Sequence, residues 1–320
     1  MIDYDKHPLN KKYDLDTALS SLWEFYKKWF GSLFVISFVF SLITTYISGS
    51  LNVSDIYSLT EPEEMLAVIR SMIGPYALLM ILTFLFALIL QYYIIRKPVD
   101  PESNFISIST SGIAKYILPL FVLNIILIVF AVFALLFGLL LLFIGALFAI
   151  IYIVLIYAFI SPVLMIENKN IGDTITTTIR LAHKSFWPNI GWVTVFIVIV
   201  MVISFILGAI VMIPFGGSFF RTIMNPENAS ELLDITSKPS FILLNALANA
   251  ITMPLMPIFS LILYFNAKSD NTGERVKYTE GGNDNGPVKV EDLYSKPAKG
   301  SKNEMKENSN PPPRIEDLTP

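Results

Sequence analysis

Long apolar runs separated by short polar stretches dominate the first 267 residues of the chain. One interval of 51 residues, between Lys115 and Glu167, contains no charged side chain. A helix needs about 20 apolar residues to cross the roughly 30 Å hydrocarbon core of a bilayer, so this interval has room for two membrane spans. The whole pattern predicts six spans, at residues 30–48, 73–95, 116–137, 141–166, 190–214 and 240–265.

These spans are expected to be helices. Strands of a membrane barrel alternate apolar and polar residues over segments of about 10 residues, and the six runs do not alternate. A backbone in lipid must satisfy its own hydrogen bonds, which leaves the helix. The predicted fold class is an all-α polytopic membrane protein. It has a cytoplasmic arm (1–29), a six-span membrane domain (30–267) and a tail (268–320).

Basic residues lie almost entirely on one side of these spans. The arm, the connections after spans two and four, and the tail hold 20 of the 23 Lys and Arg residues. Only Arg70, Arg221 and Lys238 fall on the other side. Loops rich in Lys and Arg stay in the cytoplasm, so we expect both termini to be cytoplasmic. The arm carries charges throughout, and the first span is expected to act as an uncleaved insertion signal.

The stretch NIGDTITTTIRLAHKSFWPNIGW, residues 170–192, has the spacing of a short amphipathic helix. With Asp173 as its N-cap, an apolar stripe follows at Ile175, Ile179, Ala182 and Phe186. We expect this helix to lie in the plane of the lipid headgroups, as basic amphipathic helices do. The expected interfacial lipid contacts here and in the arm are Trp29, Arg180, Lys184, Trp187 and Trp192.

The arm repeats this plan, which suggests internal duplication. Asp16 aligns with Asp173 and Lys27 with Lys184 without a gap, and residues 103–119 form a fainter third copy. Each unit would comprise an in-plane helix, a span out and a span back, as in other membrane proteins built from repeats. The three units would cover residues 14–98, 103–167 and 170–267. The alternative is that segments beside a membrane carry Lys and then aromatics for topological reasons alone.

Residues 160–200 resemble a group of bacterial membrane proteins. A proline near the end of a span is followed by an acidic residue, an amphipathic helix, a basic residue and an aromatic pair that opens the next span. These features are Pro162, Glu167, the helix from Asp173, Lys184 and Phe186–Trp187. The pattern is similar to the glycerophosphoryl diester phosphodiesterase membrane domain and the YciC-like proteins. The resemblance implies a bacterial inner membrane. It transfers no activity, because the chain has no room for the soluble phosphodiesterase domain.

Few residues in the spans are suited to chemistry. No span carries a charge at central depth, which argues against coupling to protons or ions, because such coupling uses intramembrane ionisable groups. The absence of cysteine excludes thiolate nucleophiles and cysteine-ligated metals. His183 has no second histidine or carboxylate at ligand spacing. We therefore expect no cofactor, no metal site, no nucleic-acid partner and no enzymatic activity.

A polar face in the sixth span is the main candidate binding feature. Three polar side chains recur there at helix-face spacing, ahead of Pro254 and Pro257, which are expected to break the helix. With one amide from the third span, the candidate lining is Asn124, Asn245, Asn249 and Thr252. One interpretation is a polar lining for a substrate path. The other is hydrogen bonding between helices, worth about 0.6–2 kcal/mol for each group.

The tail from Lys268 changes composition abruptly and becomes rich in Gly, Pro, Asn, Lys and Glu. It is expected to be disordered, because it has too few apolar residues to offset the entropy of ordering. The tail contains Glu-Asp-Leu twice, each time after a β-branched residue and with a proline two to four residues further on. We hypothesise a docking motif for a cytoplasmic protein, with the second copy adding avidity. Chance similarity is the alternative. The motif residues are Glu291, Asp292, Leu293, Glu316, Asp317 and Leu318.

Two functions are compatible with these features. The uncharged spans, the missing catalytic set and the tail motifs favour a non-enzymatic integral membrane protein that organises or regulates a partner at the cytoplasmic membrane. The polar face instead favours a transporter or carrier of a lipid or another poorly charged solute. Membrane lipids are expected partners in both cases.

The predicted orientation can be tested with tags. An epitope tag at either terminus should stay hidden from a protease added to intact spheroplasts and become accessible once the membrane is permeabilised. A tag inserted after Asn52, in a loop predicted to lie outside, serves as the positive control and should be cleaved in both conditions. A terminal tag that is cleaved in intact spheroplasts would contradict the orientation.

Overall fold

The computed structural model describes residues 4–49, 62–217, 224 and 235–269 of the chain. Within these residues the structure is helical and contains no strand, which confirms the predicted all-α class. The helices are α1 (Leu15–Gly49), α2 (Pro62–Arg96), α3 (Phe105–Leu140), α4 (Leu142–Glu167), α5 (Ile171–Lys184), α6 (Phe186–Met212), α7 (Pro239–Thr252) and α8 (Leu255–Ser269), with short 3-10 turns at Tyr4–Lys6 and Ile213–Phe215.

Six stretches of the described chain are long and apolar enough to cross a bilayer. They are Leu15–Gly49, Glu63–Arg96, Phe105–Leu140, Phe143–Glu167, Phe186–Phe215 and Pro239–Ser269. Each of the six predicted spans overlaps one of these stretches almost completely. The sixth stretch consists of α7 and α8 together. The fold is therefore that of a multi-pass membrane protein.

Two of the three amphipathic segments continue directly into the following span. Helix α1 runs without a break from Leu15 to Gly49, and α3 from Phe105 to Leu140. The predicted helix in the arm and its fainter copy at residues 103–119 are therefore not separate elements. Only α5 is separate, because the chain leaves helical geometry at Ser185, where φ is −128° and ψ is 58°.

The predicted N-cap Asp173, and Asp16, which aligns with it in the arm, both lie inside the first turn of their helices and are not the caps. In α5 the cap is Asn170, whose Oδ1 accepts a hydrogen bond from the Asp173 N–H at 2.8 Å. At the start of α1, Asp14 rather than Asp16 accepts from the Thr17 N–H at 2.8 Å, while Thr17 Oγ1 accepts from the Asp14 N–H at 3.0 Å. The predicted residues lie in the first turn, where acidic side chains are favoured by the helix dipole.

Helix α8 is the centre of the structure. Ten of its 15 residues are buried, among them Tyr264 and Phe265. It packs against α1, α2, α4 and α5. The C-terminal parts of α2 and α4 complete the core with the buried ranges 92–95 and 158–165. Each of α2, α4 and α8 ends one of the three predicted repeat units, so the last helices of the units meet in one core.

Small residues bring α1 close to α7. Ser37 and Ser41 on α1, and Ala246 and Ala250 on α7, are fully buried and in each case spaced by four residues. Small side chains at this spacing allow two membrane helices to approach closely. At Gly49 a Cβ atom would lie 2.8 Å from a backbone oxygen of the segment that leads into α7.

The sixth span is interrupted once. Helix α7 ends at Thr252 and α8 begins at Leu255, so Pro254 lies at the break as predicted. The expectation that Pro257 also breaks the helix is wrong, because Pro257 lies within α8. In the first turn of a helix a proline costs little, since the N–H that it lacks would have no partner inside the helix.

Gly112 allows close contact between α3 and α2. A Cβ at Gly112 would lie 2.6 Å from Cδ1 of the buried Tyr92 ring. The Gly112→Ala variant should therefore unfold at a lower temperature in detergent micelles, with a loss of about 1–3 kcal/mol, which is typical of overpacking.

Gly191→Ala provides the matched control. A Cβ at Gly191 in α6 would meet no atom within 4 Å. Alanine is also the better helix former, by about 1 kcal/mol. This variant should unfold at the wild-type temperature or slightly above it, and equal melting of the two variants would contradict the close contact.

Candidate functional site

An apolar cleft of about 130 Å³ lies between α3, α4 and α5. Its lining residues are Leu123, Ile126, Leu127 and Phe130 from α3, Tyr152, Ile156 and Ile160 from α4, and Ile175, Thr178 and Ile179 from α5. An engineered apolar cavity of about 150 Å³ stays dry and binds benzene. The cleft is therefore large enough for an apolar group of roughly this size.

Helix α5 forms one wall of the cleft because it runs back along α4. Helix α4 ends at Glu167, yet His183 near the end of α5 lies beside Tyr152, with its Nε2 atom 3.3 Å from the tyrosine oxygen. At about 1.5 Å per residue, Tyr152 lies roughly 22 Å before the end of α4. Helix α5 thus lies alongside α4 and not only at its end. Its in-plane orientation at a lipid surface stays a prediction.

The face of α5 that packs on the protein is rich in threonine. Thr174, Thr177 and Thr178 are buried, whereas Ile175 and Ile179 border the cleft and Ile179 is 46% exposed. Of the predicted apolar stripe, Ile179 is exposed, Ile175 is half-buried and Ala182 is buried in the core, so the stripe as a whole does not face outward. The buried face of α5 combines these threonines with Leu181 and Ala182.

A polar network at the end of α4 fixes α5 in this position. Glu167 accepts a hydrogen bond from the Tyr264 hydroxyl of α8 at 2.9 Å and pairs with Lys169 at 2.6 Å. The Lys169 ammonium also donates to Thr177 Oγ1 at 2.7 Å. One carboxylate thus connects α4, α5 and α8, and the wall of the cleft depends on this connection.

The cleft opens on the outside of the bundle. Ile126, Phe130 and Ile179 line it and are also exposed. They adjoin a broad exposed apolar surface on α3 and α4. Exposed apolar surface of this extent marks contact with a membrane or a partner.

Tyr152 and His183 form a hydrogen-bonded pair beside the cleft. His183 Nδ1 lies 2.8 Å from the carbonyl oxygen of Ile179, and a carbonyl only accepts, so Nδ1 carries the hydrogen. With the Nδ1–H tautomer of the uncharged ring, Nε2 accepts a hydrogen bond from the Tyr152 hydroxyl. Within the described residues, no group of three or more His, Asp or Glu side chains could hold a metal ion.

The predicted interfacial residues divide into two groups. Arg180, Lys184 and Trp187 are exposed, whereas Trp29 and Trp192 are half-buried and pack against the core. The indole N–H of Trp29 is buried without a hydrogen-bond partner. In the arm, the exposed indole is instead that of Trp23. Its ring centroid lies 5.3 Å from the Lys27 ammonium nitrogen.

None of the predicted polar lining residues lines the cleft. Asn124 donates to the Leu120 carbonyl of its own helix at 2.8 Å, and the Thr252 hydroxyl to the Asn249 carbonyl at 3.3 Å. Asn245 and Asn249 are half-buried on α7, which packs chiefly on α1 and α6, whereas α3 packs on α2, α4 and α5. Asn124 therefore does not join them, and a path along the α7 face stays a prediction.

Two further features concern the ends of the chain. The predicted docking motif, Glu291 to Leu293 and Glu316 to Leu318, lies outside the described residues.

At the other end, His7 is 3% exposed and stacks between the rings of Phe25 and Phe265, at centroid distances of 6.0 and 5.4 Å. Its Nε2 lies 3.2 Å from the Ile94 carbonyl. Burial lowers the pKa of His7 to about 4.

No family model, curated protein or solved structure matches this chain. The class of protein is nevertheless defined by the six apolar helices, which are those of a multi-pass integral membrane protein. Within the described residues, the cleft between α3, α4 and α5 is a concave apolar surface with room for a small apolar group.

Contact of the arm with the core should weaken in acid. The pKa of His7 is about 4 when buried and about 6.5 when the arm is free, so the free arm binds more protons between these values. The free energy that holds the arm against the core has its full value above about pH 6.5. It decreases toward pH 4, by at most about 1.4 kcal/mol per pH unit. Hydrogen exchange of the amides of residues 9–13, corrected for intrinsic rates, measures it. His7→Gln keeps a donor without titrating, and an equally steep pH dependence in that variant would contradict the assignment.

Proposed function

We propose that this protein binds a membrane lipid by holding a segment of one of its acyl chains in the cleft between α3, α4 and α5. The observation that supports this is the nature of the cleft. Eight of its ten lining side chains are wholly hydrocarbon, and it opens on an exposed apolar surface. This proposal is a form of the lipid carrier predicted as the alternative function.

The source of binding energy follows from the medium. An acyl chain that enters the cleft leaves other acyl chains and not water, so the hydrophobic effect contributes little. Binding then depends on the fit of the chain to the walls and on contacts of its polar end.

The other proposals rest on the sequence pattern alone. Regulation of a cytoplasmic partner depends on Glu-Asp-Leu motifs that lie outside the described residues. A non-enzymatic role, a bacterial inner membrane and membership of the YciC-like group depend on the residues quoted for them. We prefer lipid binding to these alternatives because it is supported by the volume and the apolar lining of the cleft.

A neighbouring pair of isoleucines on α3 provides the test. Ile126 lines the cleft, whereas Ile125 does not, and the two are similarly exposed at 42% and 46%. Ile126→Trp should fill the cleft and Ile125→Trp should leave it open. The protein is reconstituted in vesicles that contain a phosphatidylglycerol with a photoactivatable diazirine in one acyl chain, and labelled residues are mapped by mass spectrometry.

Labelling of the wild-type protein should concentrate on the lining of the cleft. We expect Ile126→Trp to lower it several-fold there and Ile125→Trp to leave it unchanged. Labelling spread evenly over all lipid-facing helices, or an equal loss in both variants, would refute the acyl-chain site.

A further inference from the structure

Among the residues that line the cleft, Tyr152 brings a polar group to its mouth. Its ring belongs to the lining, and its hydroxyl lies 3.3 Å from Nε2 of His183, which is not a lining residue. Tyr152 is half-buried and His183 is exposed, so this hydrogen bond lies where the cleft opens. Eight of the other nine lining side chains are hydrocarbon, and the Thr178 hydroxyl is fully buried. The polar contact that the lining offers to a ligand is therefore the Tyr152 hydroxyl.

The hydrogen bonds of His183 decide what the Tyr152 hydroxyl can do. Nδ1 of the uncharged imidazole donates to the Ile179 carbonyl at 2.8 Å, so Nε2 is left as an acceptor. The hydrogen of the Tyr152 hydroxyl is donated to Nε2 and is not available to a ligand. The Tyr152 oxygen still has a lone pair to offer. The pair therefore presents an acceptor to a ligand and no donor.

This polarity favours some polar groups of lipids over others. An ester carbonyl, an ether oxygen or a phosphate oxygen is itself an acceptor and gains no hydrogen bond from the Tyr152 oxygen. A hydroxyl group can donate to it. Donation by Tyr152 to His183 makes its oxygen a better acceptor, because hydrogen bonds in a chain polarise one another. No lining side chain is charged, so the lining supplies no ion-pair partner for a charged headgroup.

We propose that the cleft takes a neutral lipid alcohol, with its hydrocarbon between α3, α4 and α5 and its hydroxyl donating to the Tyr152 oxygen. The inference rests on the acyl-chain site proposed above and adds the polar group that the ligand carries. Diacylglycerol and long-chain alcohols share this chemistry, since both hold a hydroxyl close to a hydrocarbon chain. In phosphatidylglycerol the free hydroxyls lie beyond the phosphate, so this lipid serves as the probe that the alcohol displaces.

A competition experiment isolates the hydroxyl hydrogen. Vesicles hold the full-length protein, the photoactivatable phosphatidylglycerol, and unlabelled dioleoylglycerol or its methyl ether, at a mildly alkaline pH that keeps imidazole uncharged. For the wild-type protein, the methyl ether should be needed at about five-fold higher mole fraction to halve cleft labelling, which is the factor that one neutral hydrogen bond provides. Oleyl alcohol and its methyl ether, compared in the same way, distinguish a simple long-chain alcohol from diacylglycerol as the ligand.

Four variants assign the preference to the Tyr152–His183 pair. Tyr152→Phe keeps the ring and should abolish the preference by weakening the alcohol alone. His183→Leu frees the Tyr152 hydrogen to donate to an ether oxygen, and should reduce the preference by strengthening the methyl ether. His183→Gln provides an acceptor for that hydrogen and should retain the preference. Tyr157→Phe removes a hydroxyl from the same helix outside the lining and should behave as wild type.

The outcomes separate the two proposals. Equal competition by the alcohol and its methyl ether in the wild-type protein would overturn the alcohol inference while leaving the acyl-chain site intact. A preference that persists in Tyr152→Phe, or that is lost equally in Tyr157→Phe, would also overturn it. Absence of cleft labelling by the diazirine lipid would refute the site itself. A size-exclusion profile in detergent like that of the wild type verifies that each variant is folded.

Discussion

Helices dissolved in lipid gain little from burying apolar side chains against one another, because acyl chains are as apolar as leucine. The association of helices in this protein therefore depends on close backbone approach and on polar contacts between helices. Close approach is possible at Gly112, where α3 meets the Tyr92 ring of α2. It is also possible beside α7, where α1 carries the small buried residues Ser37 and Ser41. The polar contacts between helices come largely from tyrosines. The Tyr116 hydroxyl, for example, donates to the Met165 carbonyl at 3.1 Å and joins α3 to the end of α4.

The same constraint accounts for the cleft. Helix α5 is attached through a buried face of threonines with Leu181 and Ala182, and through the connection of Glu167 with Tyr264 and Lys169, so that Ile179 remains exposed. A helix held by an apolar stripe would have buried Ile179 and closed the space. Because the threonines contribute to the attachment, Ile175 and Ile179 remain to form a wall of the cleft, and α3 and α4 supply the rest of the lining.

The parts of the fold that could be predicted are those set by local composition. Span positions follow from the length of apolar runs measured against bilayer thickness, and all six were found by this criterion alone. The start of α5 was misplaced by three residues because Asn170 and Asp173 are both good residues for that end, and only their hydrogen bond distinguishes the cap from the first turn. The buried position of His7 had no sequence signal, since the residues around it are polar and show no apolar period.

The sequence by itself determined that the chain is an all-α protein with six membrane spans, because each span depends only on its own residues. It also supplied the amphipathic character of residues 171–184. Only the tertiary structure decided which face of α5 is buried, that this helix returns along α4, and that Thr178 lies unpartnered beside a cleft. These features depend on contacts between residues far apart in the chain, such as Tyr152 with His183, and helical periodicity carries no information about which helices become neighbours.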